Sequence, residues 1–171
     1  MLVFFFIYVQ LFAQTFEYSS NCKNAYQGIY KLKINEGLQW IELEKKENPK
    51  NLLPYFIENH ADFIKLFIND NRSLYESIKP KIETRLEKLK YGDEKSPFLL
   101  YTQAEIHLQW AFCKIKFGEY VSAAFEVKKA YSLLLNNQKK FPDFSPNLKS
   151  IGLLHTIFGA IPDKYKFAAK F

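Results

Sequence analysis

Glycine and proline are scarce, six and seven residues in a chain of 171, and they fall where helices would end. Short strands at regular spacing with turn punctuation between them are missing, which argues against a sandwich or barrel. Cysteine is nearly absent too. Cys22 and Cys113 form no CxxC and have no histidine at metal-ligand spacing, so a zinc site of the usual kind is excluded. A bridge between these two is permitted if the chain is exported. Cys22 follows Ser19, Ser20 and Asn21, which lack the small apolar lead-in of a lipoprotein cleavage site. The three histidines, His60, His107 and His155, stand far apart and suit packing or surface roles better than metal binding. Neither HExxH, GxSxG, a Walker A sequence nor GxGxxG occurs. No catalytic, cofactor-binding or metal residue is identified, and the chain is expected not to be an enzyme.

Charge of one sign is not concentrated anywhere. The net charge is +6, but lysines alternate with glutamates, and even the dense stretch 79–90 carries Glu83 and Glu87. A nucleic-acid surface would gather its cations into a stripe. Alternation of this kind is the pattern of solvated helix faces, so nucleic acid is not an expected partner.

What the chain does have is apolar bulk. Hydrophobic residues make up 48% and aromatics 18%, with 17 Phe and 11 Tyr. That content is too high for disorder and requires a core. Residues 1–13, MLVFFFIYVQLFA, are uncharged and apolar except for Gln10. The run is shorter than the roughly 20 residues that span a bilayer and matches the apolar region of a secretory signal peptide, with Ala13 at the cleavage position. It lacks the positively charged start of such peptides, which leaves an uncleaved anchor as the alternative. The expectation is export to the periplasm or the cell envelope of a bacterium, with membrane proximity if the segment is retained.

From residue 14 onward the apolar residues recur at spacings of three and four. Helices are predicted over 24–33, 35–46 and 51–69, the last capped by Asn51. Another, capped by Asp70 or Asn71, runs to about residue 90 and should kink or break at Pro80. A loop over 91–97 precedes the clearest pair, 98–117 and 120–135, joined by Gly118 and Glu119. After a loop over 136–145, Pro146 opens a final helix that ends before Pro162. The fold class is all-α.

The pair at 104–135 resembles a tetratricopeptide (TPR) repeat. Ala111, Ala123 and Ala130 occupy its small positions, and Gly118 and Tyr120 its turn, while Lys114 stands where a bulky aromatic is usual. A weaker copy over about 18–49 has Ala25, Gly37 and Pro49 in register, with Glu44 where a third small residue belongs. The resemblance implies antiparallel hairpins stacked as a TPR-like solenoid over 14–171. The alternative is an irregular helical bundle. It also implies a scaffold that binds a protein or peptide, with a groove lined by Glu105, Leu108, Phe112 and Lys116. Against that, Leu108 and Phe112 could simply pack on the preceding helix near 74–89. The final helix is apolar around most of its girth and would leave Leu153, Leu154, Ile157 and Phe158 uncovered. This suggests self-association, further repeats or a docked partner. The same observation carries the second reading of the chain, a helical accessory domain of a longer, enzymatic or membrane-tethered protein.

Overall fold

The computed structural model describes residues 14–160, with side chains as far as Thr156. The proposed signal segment at 1–13 and the predicted stop at Pro162 lie outside the described residues. Within them the chain is all-α, with seven helices: α1 (Ser20–Tyr30), α2 (Ile34–Glu47), α3 (Leu53–Ile68), α4 (Arg72–Leu89), α5 (Phe98–Lys116), α6 (Tyr120–Lys140) and α7 (Pro146–Ala160).

Local chemistry accounts for most of the boundaries. Ser19 accepts from the Cys22 amide (3.2 Å) at the start of α1, and Asn71 from the Leu74 amide (3.0 Å) at the start of α4. The α5–α6 turn is a Schellman closure around Gly118 at φ 81°, in which Glu119 N–H donates to Lys114 O (2.8 Å) and Gly118 N–H to Ile115 O (3.1 Å). The α1–α2 turn makes the same two bonds, Lys33 to Gly28 O (2.9 Å) and Leu32 to Ile29 O (3.0 Å). Here a leucine takes the left-handed position, at φ 60°.

Two boundaries depart from expectation. Helix α4 runs on through Pro80 without a break. The carbonyl that loses its partner belongs to exposed Glu76, where solvent can satisfy it. Helix α6 continues five residues past 135 because Asn137 turns inward, its amide donating to Pro97 O (2.8 Å) and Asn147 Oδ1 (2.9 Å).

The helices pack in sequence. Pairs α1–α2, α3–α4 and α5–α6 are hairpins, each even helix also meets the next odd one, and α1, α3, α5 and α7 touch in succession. In the first hairpin the backbones approach so closely that a Cβ on Gly37 would stand 2.7 Å from Ile29 Cγ1 and 2.9 Å from Ala25 O. One apolar core joins α1 to α5 around Ile29, Ile41, Ile57, Leu66, Tyr75 and Ile106. A second, around Ala104, Leu108, Ala130, Leu134 and Leu154, joins α5, α6 and α7. Leu154, expected to be uncovered, is therefore fully buried, whereas Leu153 and Leu148 are exposed; the side chains of Ile157 and Phe158 lie outside the described set.

The segment before α1 is strapped down. Thr15 donates to Lys50 O (2.9 Å) and accepts from Leu52 N–H (2.8 Å), while Gln14 O accepts from Asp93 N–H (2.9 Å). The Phe16 ring lies so close over Gly92 that a Cβ there would stand 2.2 Å from it. Asn51 completes the joint. Its Oδ1 accepts from Glu17 N–H (3.0 Å) and Leu53 N–H (3.1 Å), and its amide donates to Glu17 O (2.8 Å) and Glu44 Oε1 (2.7 Å). The expected helix cap is thus a buried hub for the strap, α2 and α3.

Candidate functional site

Helical periodicity sets the walls of a cleft of about 200 Å3 on the face formed by the odd-numbered helices. Tyr26 and Tyr30, four residues apart and hence on one side of α1, line it together with Tyr18 from the strap. Phe56 and His60 repeat that spacing on α3, and Tyr101 and Glu105 on α5; Pro146 and Lys149 belong to α7. Four segments distant in sequence contribute, and no even-numbered helix does.

Tyr18 meets Tyr26 edge-on at 6.3 Å, and Tyr26 lies 4.6 Å from Tyr30, their hydroxyls hydrogen-bonded at 3.0 Å. The His60 ring stacks with both, at 5.5 and 5.1 Å. His60 Nδ1 is 3.2 Å from Gln109 Nε2, and its Nε2 is buried without a partner. Burial, aided by the charge of Lys149, lowers the imidazole pKa to about 4, so the ring is neutral at physiological pH. Glu105 is the acid of the cleft. Burial raises its pKa above the usual carboxylate range, against the opposing effects of the Ser150 hydroxyl that donates to it and of Lys149.

Behind this face lies a rigid polar support. Arg85 donates to Asp62 Oδ2 (2.6 Å), Glu58 Oε2 (3.3 Å) and Asn59 Oδ1 (3.4 Å), and Asn59 donates to Gln109 Oε1 (2.9 Å). Across the α5–α6 hairpin, Glu126 accepts from Lys114 Nζ (2.7 Å) and pairs with His107 Nδ1 (2.6 Å). Burial alone would raise the Glu126 carboxyl, but the bonds from His107 and Lys114 prevail and bring its pKa down to about 2. His107 and Lys114, which sequence reasoning assigned no joint role, thus serve the hairpin interior.

The four residues expected to line a groove are dispersed. Glu105 reaches the cleft. Leu108 is 4% exposed and belongs to the second core, with Phe112 packed against the same cluster. Both face α6 and α7 instead of the 74–89 helix. Lys116 sits at the far end of α5, where its ammonium caps α3 by donating to Leu66 O (3.0 Å) and Phe67 O (2.7 Å). The sequence reading missed Tyr18, Tyr26, Tyr30, His60, Tyr101 and Lys149. The aromatic pairs at four-residue spacing were the available signal for some of these, but spacing cannot show which helices converge.

Cys22 and Cys113 are both buried and free, so the permitted bridge is not formed. Burial pushes their pKa values up to about 11 and about 12, which removes thiolate chemistry near neutrality. Among the described residues no three His, Cys, Asp or Glu side chains gather into a metal-holding group, and no helix is long and apolar enough to cross a membrane. No family model, curated protein or solved structure matches this chain.

Proposed function

We propose that the chain is an exported, TPR-like scaffold that binds a protein partner along the face of α1, α3, α5 and α7. The observation that carries this reading is the composition of the cleft: every helix that lines it is the first member of a hairpin or α7, which follows the third hairpin. In a solenoid of helical hairpins the first helices stack on one another and form the inner surface, which is where such proteins take their ligands. The ordered packing of each helix on its successors, and the matching turns of the first and third hairpins, support the same arrangement. Aromatic side chains with polar tips suit a protein-binding surface, because they supply contact area at little entropic cost.

Export rests on residues 1–13. Mass spectrometry of the protein from its native host should find a chain beginning at Gln14. Recovery of a chain with residues 1–13 intact would replace secretion by tethering, and retention in the cytoplasm would end the export reading. The binding face is tested by a photo-reactive benzoylphenylalanine placed at Tyr30, at the cleft rim, or at exposed Leu43 on α2 and Val121 on α6. Position 30 should yield a defined adduct, identified by mass spectrometry, that positions 43 and 121 do not. Adducts of equal yield at all three positions would remove the face assignment.

A further inference from the structure

The cleft has one acid on its wall, and its surroundings limit what can answer it. Glu105 already accepts the Ser150 hydroxyl at Oε1, and among the described residues no cation is ion-paired with it. Lys149, the neighbour of Ser150 on α7, lines the cleft at an exposed position and acts on Glu105 through its charge without an ion pair, so a cation must seat on the tyrosine side of the carboxylate. His60, the other ionisable base on the wall, is neutral and held in the aromatic stack, so it supplies no positive charge.

The remaining wall is mostly aromatic, with Leu53, Gln109 and Pro146 set among the rings. Ring faces carry the negative side of the quadrupole and attract a cation within about 6 Å of the centroid. An acidic occupant would meet a carboxylate in a poorly solvated recess. A purely apolar one would strip water from Glu105 and return nothing for it. A basic occupant meets both the carboxylate and the rings. Size narrows the class further: about 200 Å3 falls short of the roughly 300–1,000 Å3 of sites for drug-sized ligands, but it accommodates one side chain.

We propose that this cleft seats a single lysine or arginine side chain of the partner protein, held by the Glu105 carboxylate and the rings of Tyr26, Tyr30 and Tyr101. This rests on the scaffold reading of the odd-helix face and specifies its chemistry. The bound cation must favour the ionised form of Glu105. Affinity is therefore greatest above the carboxyl's raised pKa and is lost as the pH falls through it. The other titratable groups facing this point are Tyr101 on α5, Tyr26 and Tyr30 on α1, Lys149 on α7 and His60 on α3. Protonation of His60, whose pKa burial lowers to about 4, would repel the same cation and add to the loss.

The test uses the full chain and blocked pentapeptides Gly-Gly-X-Gly-Gly, in which X is arginine, lysine, citrulline or norleucine, followed by NMR of the tyrosine ring resonances. Arginine or lysine peptides should shift the Tyr26, Tyr30 and Tyr101 signals saturably and bind at least tenfold more tightly than citrulline or norleucine. Glu105→Gln should remove that preference while circular dichroism stays unchanged. Tyr30→Ala, at a half-exposed position, should weaken basic peptides several-fold even if Glu105→Gln proves poorly folded. Equal binding of citrulline and arginine peptides, or a preference that survives both substitutions, would overturn the proposal. A wild-type chain that shows no preference for basic peptides but still forms the position-30 adduct would remove only the ligand class. Basic peptides held in the cleft with no position-30 adduct would instead remove the protein-scaffold reading.

Discussion

The first and third hairpins bury one glutamate each on their second helix, and they hold it in opposite ways. Glu44 of α2 is fully buried and accepts from neutral amides, Asn51 (2.7 Å) and Asn48 (3.1 Å). Glu126 of α6 is 9% exposed and is answered from the facing helix by the Lys114 ammonium and the His107 imidazole. The turns differ in parallel: both make the Schellman bonds, but one uses glycine at the left-handed position and the other leucine. The hairpins therefore share a backbone plan while their interiors are stabilised by different physics. Charge complementarity holds the third together locally. The first depends on a hub that belongs to the strap and to α3, so its acid is coupled to structure outside the hairpin.

The sharpest way to break this contrast is Glu126→Ala, which leaves the Lys114 ammonium buried without its partner. Removing one member of a buried pair costs about 3–5 kcal/mol, and denaturant melts should show a loss of that size. Acid should erode the same interaction. The Glu126 pKa, about 2 in the fold, lies below its unfolded value, so its stabilisation is present above about pH 4.5 and lost as the pH falls through 2. The shift is equivalent to about 3 kcal/mol. Comparing pH–stability profiles of the wild type with Glu126→Gln isolates this contribution. It separates it from that of His60, whose lowered pKa costs stability over about pH 6.5 to 4 in both proteins. An unchanged slope between pH 4.5 and 2 would show that Lys114 and His107 do not hold the carboxylate.

Glu44→Ala should cost less, about 1–3 kcal/mol, because the amides it abandons are neutral and Asn51 keeps its other partners. Its loss should be insensitive to salt, and a marked salt dependence would contradict a purely amide-held acid. Leu32→Gly is the smallest change and the one expected to stabilise, by about 1 kcal/mol, since glycine removes the left-handed penalty without disturbing the turn bonds. Thermal melts should show a small rise, and a fall would mean that the exposed leucine contributes packing greater than its strain.

The hairpins were largely legible in the sequence because they are local. Ala111, Gly118, Ala123 and Ala130 mark the α5–α6 crossing at fixed spacings, and Asn71 announces α4 as a short-range cap. Glu44 stands where the repeat takes a small residue, and spacing alone does not show that Asn51, read as the cap of the next helix, is its partner. The role of that asparagine depends on the strap, which no periodicity reveals. Leu108 and Phe112 sat on the expected helix, but their orientation toward α6 and α7 could not be read from spacing alone. The cleft was the least legible feature. Its lining comes from four helices and the strap, and only their convergence makes single tyrosines into a wall.

The strap also has a consequence for the order in which the molecule forms. Hairpins that pack on their immediate neighbours can assemble in the order in which they are made. The bond from Asp93 N–H to Gln14 O links the first described residue to the segment between α4 and α5. The strap can pair with residues 50–52 early, but its last bond cannot close until residue 93 is available, and that closure carries the entropic cost of a long loop. A chain emerging from its N-terminus would hold its first two hairpins incompletely fastened until α5 begins. The slowest step of folding should then follow the arrival of the Tyr91–Pro97 loop, which sets a late checkpoint in an otherwise sequential assembly.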